Sequence, residues 1–230
     1  MGNGDPNSKH QAGLKSIEEK ALMGTHFEEV ITTRQRLREL TKPPSHRASN
    51  KIIDHVDDIC RRFIAASPFL LIASRGPDGR FDISPKGDPP GFVSVIDAKT
   101  LAFPDRPGNH RFDTFTNVVD CADIGLLFMI PGHGDTLRVA GKGQIVRDSS
   151  LQARLAVAGK PPGFVLLVAV EEAFMHCSKC MIRSRLWNPE SWPDRSKVPS
   201  LAEAIVAHAK PPETVAEMQA FITMHDEHLY

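Results

Sequence analysis

The residues of this chain best suited to chemistry lie between Asp82 and Arg111. Asp82-Ile-Ser-Pro-Lys-Gly-Asp88 precedes an apolar run, Phe92 to Ile96. A second run, Leu101 to Phe103, precedes Pro104-Asp-Arg-Pro-Gly-Asn-His-Arg111. Each polar segment reads as a loop beside a strand, with cationic, hydroxyl or amide groups next to a Gly. A phosphate needs that inventory: cations for its charge, backbone N–H groups that Gly leaves accessible, and nearby donors. The expectation is that the two segments meet at one phosphate-bearing cofactor. Spacing alone leaves a second reading open, in which both are solvated surface connections.

Other groups carry weaker signals. Cys177 and Cys180, with His176 before them, have the spacing of a zinc or redox pair. One such pair without a second is a poor ligand set, and the plainer reading is two cysteines packed where a strand turns into a helix. Gly141-Lys-Gly143 lacks the third Gly of a dinucleotide fingerprint and sits inside a strand, so it reads as a point of bending or close approach. His110 is a candidate proton donor, although a loop His is ordinarily solvated. Arg34, Arg36 and Arg38 read as a solvated face.

The elements that must position these groups follow from periodicity. Residues 1 to about 12 read as disordered, and 14 to 42 as an irregular or helical lead-in. Ser49 is a plausible N-cap for an amphipathic helix carrying Ile52, Val56, Ile59, Cys60 and Phe63, which ends near Ser67-Pro68. Phe69 to Ala73 and the segment from Phe81 to Ser84 form a hairpin across Pro77-Asp78-Gly79. Phe92 to Ile96 and Thr100 to Phe103 form another. A short helix covers Phe112 to Cys121, and strands cover Ile124 to Ile130, Thr136 to Arg147 and Phe164 to Met175, with a helix at 149 to 158 before the last. Along Thr136 to Arg147, Leu137, Val139, Gly141, Gly143 and Ile145 share one face. Ser200-Leu-Ala-Glu203 is a capping-box pattern, and Pro211-Pro212 opens a last helix. Short strands, tight turns and few crossover helices imply an antiparallel sheet closed into a small barrel.

Composition bounds the function. Lys plus Arg and Asp plus Glu both number 28, and a chain without excess cations is not built for general nucleic-acid binding. Four scattered cysteines do not make a disulfide scaffold. The first ten residues have no apolar core for a signal peptide, and no run is long and apolar enough for a membrane span. A cytoplasmic soluble protein is expected.

In order and spacing, Phe69–Ser74, Asp82-Ile-Ser-Pro-Lys86, Leu101-Ala-Phe-Pro-Asp-Arg106, Asn109-His-Arg111 and Thr136-Leu-Arg-Val-Ala-Gly141 resemble the split-barrel flavoproteins related to pyridoxamine 5'-phosphate oxidase. Cys177-Ser-Lys-Cys-Met-Ile-Arg-Ser-Arg-Leu-Trp187 resembles the same group. The likeness covers roughly residues 50 to 190 and is to the broader FMN-dependent branch, not to the true oxidase. It implies a mainly β fold with helical additions, a six-stranded antiparallel split β-barrel. It also implies a homodimer with FMN at the subunit interface.

By that resemblance Ser84, Pro85, Lys86 and Gly87 lie beside the flavin or its phosphate, and Asn109 and Arg111 form the second phosphate segment. Thr136 and Arg138 face the flavin from the alternating strand, and Arg185 and Trp187 are contacts from the late segment. The chain departs from the family pattern at Phe81-Asp82, where Arg is frequent, and at Phe103-Pro104, where Tyr-Thr is frequent. The implied division is a tail and lead-in at 1–48, a split-barrel domain at 49–190 and a helical extension at 191–230. The implied activity is FMN-dependent oxidoreduction of a small organic substrate. A non-catalytic flavin protein or sensor, or a barrel that holds deazaflavin or haem, remains open.

Overall fold

The computed structural model describes residues 27–227 and 229–230. The expected disorder up to residue 12, the unapolar first ten residues and the earlier part of the lead-in lie outside the described residues. The described residues before His46 belong to one compact unit and those from His46 onward to another. In the first, α1 (Arg34–Leu40) starts where the Thr33 hydroxyl accepts from the Arg36 N–H. No residue of α1 is buried, and Arg36 pairs with Glu29 and Glu39, so the arginine run is a solvated face.

In the second unit, α2 (His46–Ser49) is a single turn, and the amphipathic helix α3 (Asp58–Ala66) begins later than the sequence suggested. Ile53 and Ala173 exchange backbone hydrogen bonds at 3.0 and 2.7 Å, which holds the chain extended there. The helix starts only where a cap exists: the Asp57 carboxylate accepts from the Cys60 N–H at 2.8 Å. Cys60, Phe63 and Ile64 then face the core. Burial pushes the Cys60 thiol up to about 11, which makes it an inert packing residue.

The strands are β1 (Phe69–Arg75), β2 (Phe81–Gly87), β3 (Ser94–Val95) and β4 (Thr100–Pro104). After α4 (Asp113–Asp120) come β5 (Asp123–Met129) and β6 (Thr136–Val146). Following α5 (Ser149–Arg154) is β7 (Val165–His176), then α6 (Lys179–Ser184), α7 (Leu201–Ala209) and α8 (Val215–Asp226). Both α7 and α8 open with capping boxes, the first at Ser200 as expected; α8 starts after Thr214 rather than at Pro211-Pro212.

All pairings are antiparallel, and the order is β2-β1-β5-β6-β7-β4-β3. This corrects the six-stranded barrel: the described strands form one open sheet of seven, with β2 and β3 at its ends. The two-residue β3 adds the seventh strand. The sheet turns through β7, which pairs with β6 along its length and with β4 through its first half. A shift of register between Ala140 and Gly141 provides the bend.

The inner face carries Leu70, Ile72, Phe103, Leu126, Phe128, Leu137, Val139 and Leu166, all buried against α3 and α4 residues. Burial of these side chains, not hydrogen bonding, is what drives the sheet to this shape. At the mouth of the sheet, buried Ser67 sits between carbonyls, its hydroxyl within 2.8 Å of both Phe69 O and Met129 O. Ser67→Ala is expected to cost about 1–2 kcal/mol in a urea titration, since the two strand-end carbonyls lose the one hydroxyl proton they share.

Candidate functional site

β2 is an edge strand whose alternate residues Asp82, Ser84 and Lys86 face inward and are half-buried, while Phe81, Ile83, Pro85 and Gly87 face out. The inward side chains meet the loop that follows β4. Together they line a cavity of about 430 Å³, within the usual range for small-ligand sites. Its walls include Asp105, Arg106, Asn109, His110, Arg111, Phe112 and Phe115, with Lys160 and Tyr230 opposite.

The loop is held from both sides. The Asp105 N–H donates to Phe164 O at 3.0 Å. Arg106 Nε donates to Asp88 Oδ2 at 2.6 Å, and another guanidinium nitrogen donates to Leu155 O at 2.9 Å. This ion pair is buried, with side chains 16% and 1% exposed. The Tyr230 hydroxyl donates to the other Asp88 oxygen, which pushes the phenol up, and its ring lies 5.6 Å from the Arg106 guanidinium. Lys160 Nζ donates to Tyr230 O at 2.7 Å.

Further along, Asn109 Oδ1 accepts from the Arg111 N–H at 3.1 Å, and Arg111 Nε donates to Asp113 at 2.6 Å. His110 and Phe112 both have left-handed backbones, with φ of 57° and 55°. Such conformations in non-glycine residues cost energy and collect at ligand-holding segments. Here they flank Arg111, whose N–H is taken by Asn109 Oδ1. The Phe112 ring stands 5.7 Å from Phe115 and 6.2 Å from Phe164, forming an apolar wall beside the charged loop. On the strand side, Asp82 accepts from Thr114 Oγ1 at 2.7 Å.

The ten residues singled out from the sequence divide. Ser84, Lys86, Asn109 and Arg111 line one cavity. Pro85 and Gly87 do not, because the segment is strand rather than loop and its side chains alternate. Thr136 and Arg138 lie on the outer face: Arg138 shares a row with Leu127, Leu71 and Pro85, and its guanidinium is 5.5 Å from the Phe174 ring. Thr136 is buried opposite His176. Burial and the nearby Lys51 and Arg138 charges hold the His176 imidazole below its ordinary range. Arg185 is the left-handed cap of α6, and Trp187 Nε1 donates to His133 O at 2.8 Å; neither lines the cavity.

Cys177 and Cys180 are exposed rather than packed, and no group of three metal-ligating side chains occurs among the described residues. The reading of the sequence passed over Asp105, Arg106, Phe112, Phe115, Lys160 and Tyr230. The first two belong to the charged stretch itself and were legible there. Tyr230 is brought in from 142 positions away from Asp88, which no local pattern announces.

Residues 56–177 match the family model described as pyridoxamine 5'-phosphate oxidase. Among solved structures, HupZ from Group A Streptococcus is 18% identical, covering 54% of this chain and 95% of that one with a TM-score of 0.43. A putative pyridoxamine 5'-phosphate oxidase from Lactobacillus delbrueckii is 19% identical, covering 53% and 95%, with a TM-score of 0.42. The heme storage protein HutZ from Vibrio cholerae is 13% identical, covering 53% and 94%, with a TM-score of 0.36. No curated protein matches the chain.

Proposed function

Because the chain belongs to the pyridoxamine 5'-phosphate oxidase family, we propose that it is an FMN-dependent oxidoreductase acting on a small organic substrate. The observation that carries the reading is the cavity in which Lys86 of the edge strand faces the Asn109–Arg111 loop. The residues present fit a phosphate-bearing flavin. No hydrogen bond or ion pair commits the Lys86 ammonium among the described residues, and the phenylalanine wall stands beside the Asn109–Arg111 loop. In this reading Lys86, Arg111 and the Asn109 amide hold the phosphate, and Phe112 and Phe115 shield the chain beyond it from water. The flavin, when bound, supplies hydride or electron transfer itself; the chain's residues bind, orient and set the local charge.

A second copy of the chain is part of the proposal. The outer face of β2 leaves Phe81 74% and Ile83 66% exposed, beside half-buried Phe69, Leu71, Leu127 and Met129. An edge strand that presents large apolar side chains is a surface for burial against another chain. Thr136 and Arg138 lie on that same face, where a homodimer would bring them to the interface.

The test is the visible spectrum of the purified protein, followed by anaerobic addition of NADH or NADPH. Flavin bands that bleach with a donor and return with an acceptor are the expected result. A flavin that neither bleaches nor returns would mean a carrier or sensor, and a Soret band would replace FMN by haem.

A further inference from the structure

Four carboxylates surround the cavity, and three of them are held by donors. Asp82 accepts from Thr114 at 2.7 Å, Asp113 from Arg111 at 2.6 Å, and Asp88, behind the wall, from both Arg106 and Tyr230. Each would have to give up or share a donor in order to take a proton. The Asp105 carboxylate accepts no hydrogen bond among the described residues, and its backbone is pinned to Phe164 O, so it stays at the cavity wall. The charged groups facing it are Lys86 from β2 and Arg106 and His110 from its own loop. Arg106 is already neutralised by Asp88; Lys160 and Arg111 stand on the other walls, engaged with Tyr230 and Asp113.

A phosphate dianion entering this space meets Lys86 and Asp105 together. Two like charges in a partly dehydrated cavity cannot both stay ionised without cost, and the group least held in its charged form yields first. We propose that Asp105 takes up a proton from solvent when a phosphate-bearing ligand enters the cavity, so that binding is coupled to pH. The inference rests on the FMN reading above and adds its regulation. Burial already pushes the Asp105 carboxyl above its ordinary range, against the opposing pull of Lys86, Arg106 and His110. Once protonated, Asp105 changes from an acceptor into an O–H donor toward the phosphate.

The sign follows from linkage. Ligand binding raises the Asp105 pKa, so the complex holds more protons than the free protein and affinity rises as pH falls. Below the free-state pKa the affinity reaches its high plateau; above the bound-state pKa it reaches its low one. Each unit of upward shift on binding corresponds to a tenfold difference between the plateaus. Asp105→Asn imitates the neutral form and is expected to remain on the high plateau throughout.

The experiment is calorimetric titration with FMN, in buffers of different ionisation enthalpy, from about pH 5 to about pH 8. Wild-type protein is expected to take up protons on binding, up to one per site. Near pH 8 the Asp105→Asn variant is expected to bind FMN about tenfold tighter or more. Riboflavin, which lacks the phosphate, is expected to show no uptake. FMN binding without proton uptake overturns the inference and leaves the flavin reading standing. Equal uptake in wild type and variant also overturns it, by placing the proton on a group other than Asp105, such as the phosphate, whose second pKa is about 6. If FMN does not bind, the FMN reading fails, and inorganic phosphate is titrated in the same way. Asp105-dependent uptake with phosphate then sustains the inference for another phosphate-bearing ligand, and its absence ends both.

Discussion

Replacing Lys86 and Arg111 together by alanine is expected to weaken FMN binding by roughly a hundredfold or more, with little change in melting temperature. The two residues contribute unequally. Lys86 is half-buried on the inner face of β2, and no hydrogen bond or ion pair engages it among the described residues; it acts on Asp105 through charge alone. A cation without a hydrogen-bonded partner of its own is available to a ligand anion. The Arg111 guanidinium is 70% exposed and already donates to Asp113, so it must share its charge with an arriving phosphate. Most of the lost affinity should therefore appear in Lys86→Ala alone. Flavin fluorescence quenching measures the dissociation constants of both single variants and the double one. Equal affinity in the double variant and wild type would remove this cavity as the FMN site.

Gly141→Ala is expected to destabilise the fold by about 4 kcal/mol or more, the range reached only by overpacking or loss of a core element. A Cβ added there would stand 1.9 Å from Ala169 O, 2.9 Å from Ala169 C and 3.2 Å from Val170 Cα. All three atoms are backbone, in the strand that pairs with Gly141, so no side chain can rotate away. Relief requires β6 and β7 to part where the register shifts, the longest pairing in the sheet. The neighbouring Gly143→Ala provides the control, because its closest contacts are the methyl groups of Val118 at 3.1 and 3.3 Å. Side-chain adjustment there should hold the loss to about 1–2 kcal/mol. Thermal and urea unfolding of the two variants compares them directly. A Gly141→Ala protein that melts within about 2 °C of wild type would show that the close approach is not what requires glycine.

Periodicity carried much of the architecture. The alternation of Leu137, Val139 and Gly141 along β6, the turn at Asp78-Gly79 and the Ser200 capping box are local signals, and each produced the element it announced. The helix start at Asp57 was not local. It depended on Ile53 pairing with Ala173, 120 positions later, and a sequence window cannot register that competition. Openness of the sheet was equally out of reach, because alternation specifies which face is buried but not which strands end up at an edge.

The stretch from Asp82 to Arg111 shows the same division at the site itself. Residue types and order determined that cations, amides and turn residues would cluster at a place suited to phosphate, because those properties belong to each side chain wherever it lies. Tertiary structure decided which of them face one another. Making Lys86 a strand residue kept Ser84 and Lys86 in the cavity and turned Pro85 and Gly87 away from it. It also brought in Tyr230, buried the Asp88–Arg106 pair and left Asp105 without a donor among the described residues. Charge and hydrogen-bonding capacity are written in the chain. Whether a given charge is paired, buried or free for a ligand depends on distances that exist only after distant segments have packed.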